Sequence, residues 1–318
     1  MTRLLVNAAW PRGTAPDLAV IRAAGGDGVG LPDSPRLFDD PLLATDRVLA
    51  ETDVAMAGPC VLALGLRHPA TVVGGLGTLA ERHGPRLVAV LARGESAVRN
   101  EALPVPSLRG YLAALDTVVA GLAERRHGMT LLGSASGPRT LTETASRVDG
   151  VLIDVGTAPD VVATAVARVR EANPAAQAWL FLRVLASDDS AEREAAVAPL
   201  LGSCAARLVA APDWYQVPGR LRAEVAEVAA AHDYLKHGTA AAGSGSGSRA
   251  AEFVADRFFA LGDVTAVRAR IGALAASGID GVVLSGAVGG VVERLGATVG
   301  AVRAGLAVLA GLKGKQQV

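Results

Sequence analysis

Short apolar runs alternate with longer stretches of helical period along the chain. Leu4-Leu5-Val6 is the first such run, and a helix follows through Ala24. That helix is opened by Thr14-Ala-Pro-Asp17, which has the form of a capping box. A Thr N-cap and an acidic residue three positions on satisfy N–H groups that a helix start leaves bare. The same rhythm predicts strands over 26–31, 54–64, 86–91, 129–132, 150–154, 178–185 and 279–284. Helices are predicted over 41–51, 70–82, 108–124, 139–146, 265–276 and 291–309, with several more between 191 and 231. A further helix begins at a second capping box, Thr157-Ala-Pro-Asp160.

Nearly continuous apolar strands are buried on both faces, which is the mark of a parallel sheet. A doubly wound sheet would use fewer strands and a Gly-rich first turn. The first turn here begins Ala8-Ala-Trp10-Pro-Arg-Gly13, with no GxGxxG. Eight strand–helix repeats therefore predict an α/β fold, a (β/α)8 TIM barrel in one domain over 1–318. Residues 232–251 interrupt the rhythm, and 238–248 read GTAAAGSGSGS. Such a run is a flexible segment without a core, so an extra excursion is expected between strands seven and eight.

Composition narrows the function classes. Apolar residues make up 51% and charged residues 19% of the 318 positions, which excludes general disorder. Lys+Arg and Asp+Glu are both 31, so formal net charge is zero. With no basic block, neither nucleic acid nor an anionic membrane is expected as partner. Cys60 and Cys204 are far apart and in no CxxC or Cys/His spacing, so no disulfide framework or metal site is expected, and a cytoplasmic location is. Met1-Thr2-Arg3 leads only into a short apolar run that reaches Pro11, so no signal peptide is read there.

In such barrels chemistry sits at the C-terminal ends of the strands. That selects residues 7–10, 32–34, 63–68, 92–96, 133–137, 154–156 and 285–286. Gly133-Ser134-Ala135-Ser136-Gly137-Pro138 places small residues and free N–H groups at a helix start, which suits a phosphate, and it also reads as a plain βα loop. Asp33 could act as acid, base or hydrogen-bond acceptor, or cap a turn. Arg67 could hold an anion and His68 could titrate near neutral pH, or the pair could be a solvated loop at a helix start. Gly94 permits close approach of a ligand and Ser96 offers a hydroxyl, in what could equally be an ordinary turn. Trp214-Tyr215 could line a cleft or pack, and Cys204 and Met129 read as core. No Ser/His/Asp or metal-ligand spacing appears.

Taken together, these loops resemble the bacterial-luciferase-like flavin and deazaflavin oxidoreductases. Gly26-Asp-Gly-Val-Gly-Leu-Pro-Asp33 looks like that superfamily's second strand. Gly58 to Pro69, with its Arg67-His68-Pro69 exit, resembles the third strand of the branch around the F420-dependent methylenetetrahydromethanopterin reductases. Leu87 to Ser96 is similar to the fourth strand, and Ser136-Gly137-Pro138-Arg139 to the family's phosphate loop. Asp256-Arg257-Phe258, Gly262-Asp-Val-Thr and Gly278 to Gly286 are similar to its closing segment. The resemblance runs in register from about residue 15 to 310.

The resemblance implies a TIM barrel that binds coenzyme F420, or alternatively FMN, at its mouth. It implies a phosphate held by Ser134, Ala135, Ser136, Gly137 and Pro138. Arg67, Gly94, Ser96, Ser285 and Gly286 are further cofactor-binding candidates. The ring is expected on a bulge of strand three with a non-prolyl cis peptide, by position Cys60–Val61. Where the family usually has His after the Asp, this chain has Ser34. That His often handles a proton in deazaflavin enzymes, so Asp33 and His68 are the catalytic candidates, with Trp10 or the substrate itself as other participants. The expected activity is hydride transfer between F420 and a small-molecule or peptide intermediate of secondary metabolism, in a homodimer. The alternatives are an FMN-dependent luciferase-like monooxygenase and a barrel that binds a flavin without turnover.

Overall fold

In a computed structural model of the chain, eight parallel strands close into a barrel. The described residues are 2–7, 18–236, 247–285 and 291–313. Trp10, Gly286, the Thr14–Asp17 capping box and most of the Gly/Ser run (238–246) lie outside them. The strands are β1 (Arg3–Asn7), β2 (Gly28–Leu31), β3 (Met56–Ala63), β4 (Val88–Ala92), β5 (Thr130–Ala135), β6 (Gly150–Ile153), β7 (Gln177–Ala186), β8 (Phe259–Gly262) and β9 (Gly281–Ser285). Strands β1 to β7 pair in chain order, and β9 bridges β7 back to β1 to complete the wall. Helices stand between them: α1 (Leu18–Ala23), α2 (Pro41–Glu51), α3 (Pro69–His83), α4 (Glu95–Asn100), α5 (Leu108–Gly121), α6 (Pro138–Ala145) and α7 (Pro159–Ala172). After β7 come α8 (Ser190–Val197), α9 (Leu201–Ala210), α10 (Arg222–Ala230) and α11 (Arg249–Phe258), then α12 (Val264–Ala275) and α13 (Val291–Lys313).

Two packed regions hold the barrel. Leu5, Cys60, Val90, Leu132, Leu152, Trp179 and Val283 fill its interior. A larger apolar layer, including Leu62, Leu76, Leu115, Val162 and Ile271, lies between the wall and the helices. Both faces of each strand are thus buried, which is why the strands read as unbroken apolar runs.

The excursion between the seventh and eighth barrel strands is present and contains a strand that the sequence pattern does not predict. β7 is ten residues long. Its Trp179–Leu182 half pairs with β9 in the wall, and its Arg183–Ala186 half pairs with β8 outside it. Phe259–Gly262 has only four residues and runs directly on from α11, too short a run to carry a periodic signal of its own. The excursion leaves and returns at one point, where the Ser187 N–H donates to the Gly262 carbonyl at 2.8 Å. The expected capping box at Thr157 does not form. Ala158 is the N-cap of α7, and the buried Thr157 hydroxyl lies 3.2–3.3 Å from the carbonyls of Asp256, Arg257 and Phe259. The α11–β8 junction needs a donor there, and that tertiary demand outweighs the local cap. No helix among the described residues is long and apolar enough to cross a membrane.

Candidate active site at the barrel mouth

Side chains alternate along a strand, so the interior layer of Leu5, Leu132, Leu152, Phe181 and Val283 predicts the next inward positions. These are Asn7, Ser134 and Ser285 at the ends of β1, β5 and β9, Asp154 just past β6, and Arg183 just past the half of β7 that pairs in the wall. Val61 and Phe181, both half-buried, pack on the interior layer below them. The mouth thus has an apolar floor and a polar rim.

The floor rests on an irregularity in β3. Its register against β4 shifts between Cys60 and Leu62, and the Cys60–Val61 peptide is cis. The Asn7 amide donates to the Cys60 carbonyl at 2.6 Å, which ties β1 to the bulge. Asn7 Oδ1 is buried and has no partner among the described residues. Burial pushes the Cys60 thiol up to about 12, so it is a packing group and no nucleophile.

Asp33 is 4% exposed. Its carboxylate accepts from the Ala63 N–H at 3.0 Å and from Arg67 through Nε at 3.0 Å and Nη2 at 2.9 Å. The same Nη2 reaches Asp40 at 3.0 Å, and Asp40 also caps α2 by accepting from Leu42 and Leu43. The hydrogen bonds to Asp33 raise the Arg67 pKa further above its ordinary value. Asp33 thus ties the end of β2 to the exit of β3 through three accepted hydrogen bonds. His68 is exposed and is the N-cap of α3, its Nδ1 accepting from the Ala70 N–H at 3.2 Å.

Gly94 has φ +76°, and a Cβ there would come within 2.3 Å of the Ala63 Cβ. Its missing side chain is used by packing of the β4 exit on β3. Ser96 lies in α4, whose Glu95 binds both Arg93 and Arg99. The β5 loop is different. A Cβ on Gly137 would meet only the Thr140 hydroxyl, at 3.5 Å, so its backbone is approachable. The Gly137 N–H donates to that hydroxyl at 3.1 Å. The Arg139 and Thr140 N–H groups open α6 with no acceptor inside the helix.

Beside this loop is a cluster that the sequence alone does not reveal. Arg183 is 4% exposed and grips Asp154 at 2.8 and 3.1 Å. Arg207, on α9, reaches the same carboxylate at 2.7 Å. Burial alone would raise Asp154, but the two guanidiniums outweigh it and hold the carboxyl at about 2. The buried Tyr215 hydroxyl donates to the Ser136 carbonyl at 3.0 Å, so the excursion braces the β5 loop. Cys204 and Met129 are buried, as their sequence context suggests. Among the described residues no group of three His, Cys, Asp or Glu could hold a metal.

No family model matches the sequence, and no curated protein matches it. Solved structures do match. A coenzyme F420-dependent tetrahydromethanopterin reductase from Methanopyrus kandleri superimposes with TM-score 0.70 at 14% identity, over 94% of this chain and 97% of that one. An F420-dependent secondary alcohol dehydrogenase, in complex with an F420–acetone adduct, gives 0.68 at 14% identity, over 95% and 99%. The oxygenating constituent of a 3,6-diketocamphane monooxygenase from Pseudomonas putida, in complex with FMN, gives 0.55 at 14% identity, over 95% and 96%. The chain thus has the barrel fold of these three structures over nearly its whole length.

Proposed function

We propose that the chain is a coenzyme F420-dependent oxidoreductase acting on a small-molecule or peptide intermediate with a C=C, C=N or carbonyl group. The observation that carries this reading is the mouth itself: an apolar floor of Val61 and Phe181 beside an approachable Gly137 backbone. These residues fit a planar ring with a phosphate-bearing side chain. The phosphate would take the N–H groups of Arg139 and Thr140 beside Gly137. The Asn7 oxygen, buried without a partner, suits an N–H on a ring edge. When bound, the deazaflavin supplies a carbon that gives or takes a hydride. The protein's part is to orient the substrate carbon and exclude water. That two of the structures sharing this fold are F420-dependent supports the deazaflavin reading.

The second reading is an FMN-dependent monooxygenase, which the full-length match to the FMN-bound structure favours. Titration of the purified protein with F420 and with FMN, followed by fluorescence, tests both. Tight binding of F420 and no oxygen uptake on turnover are expected. Oxygen consumption coupled to product would transfer the assignment to the monooxygenase, and binding of neither cofactor would remove both.

A further inference from the structure

We infer that the Arg183–Asp154–Arg207 cluster is a second anion-binding subsite of the mouth, built for a carboxylate or phosphate group that is separate from the phosphate on the β5 loop. Charge is the first reason. Two guanidiniums share one carboxylate, and arginine does not lose its proton in proteins. Cys204, Tyr215 and Tyr234, which also act on them, are all pushed up by burial and stay neutral at pH 7. Among the described residues one positive charge is therefore left without a counter-charge at a largely buried site that opens to solvent at Arg207, an arrangement that favours an incoming anion.

Unused donor capacity is the second reason. Arg183 Nε is buried with no acceptor among the described residues. The guanidinium lies 5.1 Å from the Phe181 ring centroid and 5.7 Å from that of Phe258, which keep water away and hold its plane. Arg207 is the accessible member, its side chain 27% exposed.

Position is the third reason. The Asp154 N–H donates to the Ala135 carbonyl at 2.9 Å and the Tyr215 hydroxyl to the Ser136 carbonyl at 3.0 Å, so the cluster flanks the β5 loop. A ligand with one anionic group on that loop could place a second on Arg207. The anion could belong to the cofactor or to the substrate. F420 carries glutamate carboxylates beyond its phosphate and FMN does not. The cofactor arm rests on the proposed function, and the subsite itself does not.

The subsite is tested with inorganic phosphate, titrated into cofactor-free Gly137→Val protein so that the β5 loop contributes nothing. The 31P line should broaden saturably. Adding Arg207→Gln should weaken phosphate by about tenfold or more. Arg207→Lys, which keeps the charge, should recover part of that loss. Equal affinity with and without Arg207→Gln overturns the subsite. Should Arg207→Gln not fold, thermal unfolding of Gly137→Val decides: phosphate must raise Tm beyond chloride at equal ionic strength, and no rise overturns the inference. The source of the anion is read in the Gly137 background by comparing F420 with and without its glutamate tail. A loss in Arg207→Gln confined to the tailed form assigns the anion to the cofactor; equal affinities for both forms assign it to the substrate. Binding of phosphate with no binding of F420 or FMN sinks the proposed function and leaves the subsite standing.

Discussion

Arg67 forks onto Asp33, with Nε to Oδ2 at 3.0 Å and Nη2 to Oδ1 at 2.9 Å. An acid or base needs a lone pair facing the substrate, and this carboxylate already accepts from Arg67 and from the Ala63 N–H. Asp33→Asn should therefore act on stability. Because Arg67 is partly exposed and keeps Asp40, the cost should be about 1–2 kcal/mol. Urea unfolding checks this, with the pH–rate profile keeping its shape. An unchanged unfolding midpoint together with a large fall in kcat would return Asp33 to proton chemistry.

Gly137 can be tested without threat to the fold. Its φ of −106° is open to any residue, and an added Cβ meets only Thr140. Gly137→Val should leave the unfolding midpoint within about 1 kcal/mol and weaken the cofactor by about tenfold or more, by blocking backbone approach. Unaltered cofactor affinity would place the phosphate elsewhere.

Asp154 sets a pH dependence of stability. Its carboxyl is held at about 2 in the folded protein, against about 3.9 for an unperturbed Asp. The unfolded chain therefore binds the proton more tightly, and the contribution to stability is complete above about pH 4 and disappears as pH falls toward 2. Urea midpoints measured from pH 6 down to pH 2.5 should drop in the wild type and drop less steeply in Asp154→Asn. Parallel slopes in the two proteins would argue against the ion pairs.

Both thiols should be inert in the native state. Cys60 is 1% exposed and pushed up to about 12, so at pH 8 only about one molecule in ten thousand carries the thiolate. Cys204 is equally buried and is also raised. An aromatic disulfide reagent should find no thiol in folded protein at pH 8 and two in urea. A fast-reacting thiol without denaturant would contradict the packing.

The barrel was legible because its signal is repeated: apolar runs such as Val88–Ala92 are buried on both faces and spaced by helices. Local rules succeeded where periodicity was long, as in the helix expected over 70–82, which spans Pro69–His83. They failed at Thr157, where the returning excursion claims the hydroxyl. α4 went unseen because six residues give too short a periodic signal. The Asp154 cluster was hidden for a different reason. Its members come from the end of β6, from β7 and from α9, and only barrel closure and the fold of the excursion bring them together. Asp154 was legible as a strand end, but nothing near Arg183 or Arg207 in the sequence announces a partner.

The adjacency of Ser187 and Gly262 makes the intervening segment an exchangeable cassette. A segment whose two ends already touch can be replaced by one of another length with little change in the entropy of closing the loop. The wall beneath is completed by the lower half of β7 with β6 and β9, and none of those pairings involves the segment. A change in that segment would thus alter Arg207 and Tyr215 above the mouth and leave the floor at Val61 and Phe181 to the wall strands.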